Sequence, residues 1–401
     1  MTDQPADATP DPRLDLPIVG IVGAGIMGSG IAQLALEAGH EVVMHDVDGP
    51  ALGRARDRIA DGLTRRATKV LDDPAGIDPW VAARIERLRS TEILEQLGDE
   101  ADAVIEAVLE SLELKRTIFR TLDSVADPDT ILATNTSALS VGAIADATSH
   151  PDRVVGLHFF NPAPVMTLVE VVAGRRTSEA VVMRASELVR NWGRTPVHSA
   201  DAPGFIVNRI NRPFTIRALR LLEANAASIE AIDAAIRDAG FLLGPFELMD
   251  LTGIDVTFAA STGIWDSLRR PDRLRPSALQ QARIEAGDLG RKTGAGFHRY
   301  EAGRRVEQPV DAAEEPRGLA ADAIRDRILL PIVDEAYRAL AEGVAAEADI
   351  DVALRLGAAH PIGPFERARE LGGASAVAAR LRELAADDPS LFPSDALVAA
   401  G

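Results

Sequence analysis

The sequence predicts an α/β domain built on a parallel sheet, followed by an all-α helical domain that occurs twice. Three observations predict it. From about residue 16 to 200, short apolar β-branched runs alternate with helical stretches, the pattern of a sheet covered by helices on both faces. Beyond Pro203 the apolar residues recur at three- and four-residue spacing and strands largely vanish. Residues 209–233 then align without a gap on 327–351, and each copy leads to the tetrapeptide GPFE, at 244–247 and at 363–366.

Taken in order, residues 1–15 are polar and rich in Pro and Asp, and are expected to form a disordered tail. Strands are expected in PIVGIV (17–22), EVVMH (41–45), DAVIEAV (102–108), TILAT (130–134), RVVGLHF (153–159) and TLVEVV (167–172). The first domain is placed at 16–201 and the helical domain at 202–303. Its helices begin with GFIVNRINRPFTIRALRLLEAN and SIEAIDAAIRDAG. RRVEQPVDAAEEPRG, at 304–318, reads as a linker, and 319–401 as the second helical copy. The alignment pairs Arg209 with Arg327 and Pro213 with Pro331, but sets Asp326 at the position of Asn208, so the copies are not chemically equivalent.

Composition narrows the function classes. Cysteine is absent, which removes disulfides, thiolate metal sites and a cysteine nucleophile and fits a cytoplasmic protein. With 43 basic and 61 acidic side chains the formal charge is −18, so binding to nucleic acid through a general basic surface is not expected. The uncharged run from Leu16 to Leu36 is long enough to cross a bilayer, but it follows an acidic flank and is broken by Pro17 and five glycines. It reads as a buried strand, a glycine turn and a buried helix face, with no membrane partner. Only three of the 43 basic residues are lysine, namely Lys69, Lys115 and Lys292.

Gly23, Gly25 and Gly28 form a G-x-G-x-x-G, with Ile26 and Met27 inside it, directly after an apolar run and at the start of a helix. That context supplies a tight turn, a backbone that can approach a pyrophosphate, and a helix N-terminus that favours anions, the dinucleotide-binding arrangement of a Rossmann domain. Asp46 follows Gly28 by eighteen residues, at the end of the second apolar run. A carboxylate there accepts hydrogen bonds from an adenosine ribose and repels a 2′-phosphate, so NAD is expected rather than NADP.

A dehydrogenase acting on an alcohol without a metal needs a base that is neutral near pH 7, which points to histidine. Of seven, His40, His150 and His360 stand in or beside expected turns, His45 abuts Asp46, His298 follows a glycine-rich turn, and His198 precedes the helical domain. His158 is best placed, at the carboxyl end of its strand, where ligands of open α/β sheets bind. Glu170 lies twelve residues on amid apolar neighbours, where a charge needs a partner. A buried carboxylate on the imidazole would fix its tautomer; a satisfied core histidine with a structural glutamate is the alternative.

HFFNPAPVMTLVEVV (158–172) resembles the central signature of the 3-hydroxyacyl-CoA dehydrogenase family. VGIVGAGIMGSGIAQ, VIEAVLESLELK, ILATNTSALS, DAPGFIVNRI, GPFELMDLTGIDV and LGRKTGAGF agree in order, over about residues 17 to 300, and the duplicated tail resembles that of tandem-domain members. The resemblance implies a Rossmann domain followed by duplicated helical domains of the 6-phosphogluconate-dehydrogenase-like type. It also implies NAD-dependent, reversible oxidation of an (S)-3-hydroxyacyl-CoA, with short chains such as 3-hydroxybutyryl-CoA expected.

The same resemblance makes His158 the general base and Glu170 its orienting partner, and it gives Ser137 and Asn208 the task of hydrogen-bonding the substrate's C3 oxygen. From the residues alone, Ser137 reads equally as a helix N-cap and Asn208 as a turn or helix-start residue. Glu110 and Lys115 match residues that hold the nicotinamide-side ribose. Asn135 and Asn161 lie in motifs bordering the cofactor, Lys292 matches a lysine that reaches NAD from the helical domain, and Lys69 lies near one that meets coenzyme A. Two departures are Thr167, in place of a common lysine and expected to alter acyl or CoA contacts, and His298, in place of an aromatic and expected to change packing only. Rival readings are a dehydrogenase of a free 3-hydroxy acid or polyol, and a noncatalytic NAD-binding protein. The second helical copy is expected to replace a dimer interface, with an oligomer as the alternative.

Overall fold

The computed structural model describes residues 17–306 and 318–401, so the expected tail and residues 307–317 of the expected linker lie outside the described residues. The chain divides into two compact units between Pro196 and Val197. Six expected strands form, within an eight-stranded sheet: β1 (Val19–Val22), β2 (Val42–His45), β3 (Leu88–Thr91), β4 (Ala103–Glu106), β5 (Ile131–Thr134), β6 (Val154–Phe159), β7 (Leu168–Ala173) and β8 (Thr195–Ala200). Their order is β3-β2-β1-β4-β5-β6-β7-β8. Strands β1, β2, β4 and β5 are buried along their whole length, which is why they read as continuous apolar runs.

Two expectations are corrected here. The sheet is not wholly parallel: β1 to β6 pair in parallel, but β7 runs antiparallel to β6. A parallel crossover needs about a dozen residues or more, and the segment from Phe160 to Thr167 is too short for one. The edge strands β3 and β8 were not expected, because Leu-Arg-Ser-Thr is exposed at its two middle residues and Thr-Pro-Val-His-Ser-Ala carries a proline. Both lack the apolar run that marks a central strand.

The glycine turn after β1 is dictated by space. Gly23 has φ +108°, and a Cβ there would stand 2.7 Å from the Ala107 carbonyl oxygen. At Gly28 a Cβ would lie 1.9 Å from the Gly23 oxygen, so helix Ile26–Glu37 can pass this close to β1 only with glycine. Ile31, Leu34 and Ala35 then bury against the sheet.

In the second unit the two helical copies make the same local bonds. In the first, Gly244 N–H donates to Glu247 at 2.9 Å and Phe246 N–H to Asp233 at 2.9 Å; in the second, Gly363 donates to Glu366 at 2.8 Å and Phe365 to Asp351 at 2.8 Å. In each GPFE the glutamate thus makes its half of a capping box, and a buried aspartate from the preceding helix takes the place of the side chain that the glycine N-cap lacks. Arg304–Val306, expected to begin a linker, instead form a strand antiparallel to Arg299–Glu301. Among the described residues no helix is long and apolar enough to cross a membrane.

His298 is also corrected, since it does more than fill space. Its Nε2 meets Asp233 Oδ2 at 2.9 Å with both side chains buried, and Asp250 accepts the Phe297 and His298 backbone N–H groups at 2.8 Å each. The equivalent aspartate of the second copy, Asp351, meets Arg369 at 3.3 Å instead. Burial pushes the Asp233 carboxyl up, and the hydrogen bond from His298 acts against that. His298→Phe is therefore expected to cost about 1–3 kcal/mol by leaving a buried acceptor unsatisfied. Thermal unfolding checks this, and an unchanged melting temperature would remove the assigned role.

Candidate active site

Strands β6 and β7 pair with His158 directly opposite Glu170, so the antiparallel turn-back makes two residues twelve apart into a cross-strand pair. His158 Nδ1 lies 2.6 Å from Glu170 Oε2, and the side chains are 5% and 0% exposed. A carboxylate can only accept, so the neutral imidazole takes the tautomer with its proton on Nδ1 and its lone pair on Nε2. Nε2 lies 3.1 Å from Ser137 Oγ. Ser137 is exposed in the loop after β5 and is not a helix cap; Ser140 caps helix Val141–Ala145 by accepting from Ala143 N–H.

The other histidines have different tasks. His40 is buried between the Pro17 carbonyl and the Trp192 indole N–H, and burial lowers its pKa. His45 meets the Thr91 carbonyl at 3.2 Å, and burial lowers its pKa too. His150 pairs with Asp123, and His198 lies 3.9 Å from Asp349. His360, buried against Asn211, is pushed down to about 3. Two histidines expected beside turns are thus core residues, their neutrality enforced by burial.

A buried charged group supports the loop that carries Ser137. Glu106, at the end of β4, is 0% exposed and accepts from Lys115 Nζ at 2.7 and 3.0 Å, Thr134 Oγ1 at 2.7 Å and Val108 N–H at 2.7 Å. Lys115, itself 1% exposed, also pairs with Glu110 at 3.2 Å. Glu110 Oε1 accepts from Thr136 Oγ1 at 2.6 Å, Ser137 N–H at 3.0 Å and Ala138 N–H at 3.1 Å. Burial would raise the Glu110 carboxyl, but Lys115, Thr136 and the Ser137 amide outweigh it and hold it below the usual carboxylate range. Neither Glu106 nor Thr136 was singled out in the sequence. Glu106 could have been, as the charge flanked on both sides by apolar residues in AVIEAV (103–108), the same signal that marked Glu170.

At the glycine turn, a Cβ on Gly25 would meet nothing within 4 Å, and helix Ile26–Glu37 starts there without a side-chain cap. This open cradle in front of free helix N–H groups fits a pyrophosphate. Asp46 is aimed at it: Oδ2 accepts the Ala24 N–H at 2.8 Å and Oδ1 the Asp48 N–H at 3.0 Å, leaving lone pairs for ribose hydroxyls. Exposed Ile26, Val47 and Leu109 supply apolar surface on the segments that follow β1, β2 and β4. The residues present fit a dinucleotide.

The remaining expected residues are placed as follows. Asn135 Oδ1 accepts the Phe159 N–H at 2.8 Å and so ties the β5 loop to β6, while Asn161 is exposed just beyond β6. Thr167 is exposed just before β7, and Lys69 is exposed in the last turn of helix Gly49–Val70. In the second unit, Asn208 is half-buried in the short helix Val207–Ile210, where its carbonyl accepts from Arg212. Lys292 Nζ lies 2.6 and 2.7 Å from the two Asp255 oxygens.

Comparisons with known proteins agree with this geometry. Residues 18–202 match the family model for the NAD binding domain of 3-hydroxyacyl-CoA dehydrogenase, and residues 204–300 and 324–393 match that for its C-terminal domain. The chain is 36% identical to 3-hydroxyadipyl-CoA dehydrogenase of Escherichia coli (strain K12), over 90% of this chain and 92% of that one. It is 38% identical to a probable 3-hydroxybutyryl-CoA dehydrogenase of Bacillus subtilis, over 70% of this chain and 96% of that one. The crystal structure of 3-hydroxybutyryl-CoA dehydrogenase from Escherichia coli K12 superposes with a TM-score of 0.86 at 34% identity, covering 96% of this chain and 98% of that one.

Proposed function

The chain belongs to the 3-hydroxyacyl-CoA dehydrogenase family, and on that premise we propose how its own residues oxidise (S)-3-hydroxyacyl-CoA to 3-oxoacyl-CoA. The observation that carries the proposal is the chain of contacts Glu170–His158–Ser137. NAD held at the glycine turn and by Asp46 would supply the acceptor for the hydride that leaves C3. His158 Nε2 takes the proton of the C3 hydroxyl, and Glu170, bonded to Nδ1–H, orients the ring and stabilises the imidazolium that forms. Ser137 donates to the C3 oxygen, with Asn208 assigned the same task by its motif. In the reverse direction His158 returns the proton.

Gly23, Gly25, Ile26, Met27 and Gly28 are assigned to the pyrophosphate turn and Asp46 to the adenosine ribose. Glu110 is assigned to the nicotinamide-side ribose. Lys115 is assigned to neutralising Glu110 from beneath, since its ammonium is spent on two carboxylates. Asn135 and Asn161 border the same cofactor. Lys292 and Lys69 keep their motif-based assignments to NAD and to coenzyme A.

The relatives named for 3-hydroxyadipyl-CoA and 3-hydroxybutyryl-CoA favour a short acyl chain. A cytoplasmic location and the lack of a nucleic-acid partner belong to the same proposal, supported by the acidic balance of −18 and the absence of cysteine. The test is NADH formation across a series of 3-hydroxyacyl-CoA lengths and the corresponding free acids. Highest kcat/KM is expected on the short CoA esters; activity on free acids alone would overturn the CoA assignment. With NADP, kcat/KM is expected to fall by at least about tenfold, because the Asp46 carboxylate repels a 2′-phosphate. Equal use of the two cofactors would displace Asp46 from that role.

A further inference from the structure

Ser137 is exposed on a loop with no helix or strand of its own, yet its hydroxyl stands 3.1 Å from His158 Nε2. Something must fix that loop. Three of its consecutive amides are taken up by side-chain acceptors: Ser137 and Ala138 donate to Glu110 Oε1 at 3.0 and 3.1 Å, and Leu139 to Thr136 Oγ1 at 2.9 Å. Thr136 closes the arrangement by donating its hydroxyl to the same Glu110 oxygen at 2.6 Å. It is 1% exposed, so it is walled off from ligands and can act only through its neighbours.

We propose that Thr136 is a positioning residue for hydride transfer, clamping Glu110 so that Ser137 is held at the substrate oxygen. The proposal rests on the assignment of Ser137 to that oxygen. Glu110 is thereby shared: the carboxylate assigned to the cofactor ribose is also the anchor of the Ser137 amide, and Lys115 with Glu106 fixes it from the core. A single hydroxyl under the loop therefore sets the geometry of a group that does not touch it. Displacement of a reacting group's partner by about 1 Å can cost on the order of a hundredfold in rate.

Thr136→Val removes the hydroxyl at constant volume, and Thr136→Ser keeps it. In the full-length enzyme, Thr136→Val is expected to lower kcat about thirtyfold with KM for NAD changed less than about twofold, while Thr136→Ser stays within about threefold of wild type. Thr136→Ala, which puts no methyl against Glu110, should behave as Thr136→Val does and serves if the valine variant folds poorly. Because Thr136 acts through Ser137, adding Thr136→Val to Ser137→Ala should lower kcat no further than Ser137→Ala alone. A merely structural threonine would lower the melting temperature and multiply with Ser137→Ala. Normal kcat in both the valine and alanine variants, with Ser137→Ala impaired, overturns the clamp alone. Normal kcat in Ser137→Ala removes the substrate assignment of Ser137 and the clamp with it.

Discussion

Replacing His158 with Gln is expected to lower turnover by about two to four powers of ten, the usual contribution of a general base, with the Kd for NAD within about twofold of wild type. Glutamine matches the size of the ring and can keep a hydrogen bond to Glu170, but it cannot hold a proton at the position of Nε2. Glu170→Gln should fall to a similar degree for a different reason. An amide facing Nδ1 no longer demands the proton there, so the imidazole loses both its enforced tautomer and the charge that stabilises its protonated form. Steady-state kinetics with separate measurement of NAD binding distinguishes these losses from misfolding. His198→Gln is the control and should remain active, since His198 is half exposed and 3.9 Å from Asp349. Near-normal turnover of His158→Gln would end the proposed chemistry.

The dyad illustrates what the sequence could and could not carry. His158 at a strand end and Glu170 as a charge in an apolar run are both local signals, readable one residue at a time. Their meeting is not, because it depends on the turn-back of β7, and the alternation of strands and helices suggested only parallel neighbours. The glycine turn was legible from its spacing, since Gly28 is imposed by the Gly23 oxygen within one strand–turn–helix unit, although the Ala107 carbonyl that crowds Gly23 comes from the segment after β4. Edge strands were not, because β3 has two exposed residues and so lacks the apolar run used to find strands. The network beneath Ser137 joins residues 106, 110, 115 and 134 to 138, and no single segment announces it. Likewise Asp233 and His298 are 65 positions apart, so a substitution read as packing proved to be a buried hydrogen bond.

The second large effect is expected at the junction of the two helical copies, which is built as a pseudo-dimer. Arg209 Nε donates to Glu335 Oε1 at 3.0 Å, while the contact between the equivalent positions, Arg327 and Arg217, is a 3.4 Å bond from Arg217 Nε to the Arg327 carbonyl. Residue i of one copy meets residue j of the other and the reverse, the signature of a two-fold interface, here closed within one chain. Arg209 is buried; its charge is opposed by burial, and Glu342 and Glu335 more than offset that. Arg209→Met would leave Glu335, which is 1% exposed, with Arg273 as its partner among the described residues. Leaving a buried charge wholly unpaired costs about 3–5 kcal/mol, and with Arg273 retained on Glu335 the lower end of that range is expected. For a unit of this size each kcal/mol shifts the melting temperature by about 2–4 °C, so a fall on the order of 10 °C is expected. The second copy, in which Asp326 occupies the position of Asn208 and pairs with Arg380 at 3.6 Å, is expected to be architectural. Asp326→Ala should accordingly be neutral for kcat, whereas Asn208→Ala should not. Deleting 319–401 would expose the apolar face of helix Arg212–Glu223 and is expected to give aggregates or enforced dimers. A truncated chain that remained soluble, monomeric and fully active, or binding of two NAD per chain, would show that the second copy does something other than complete the first.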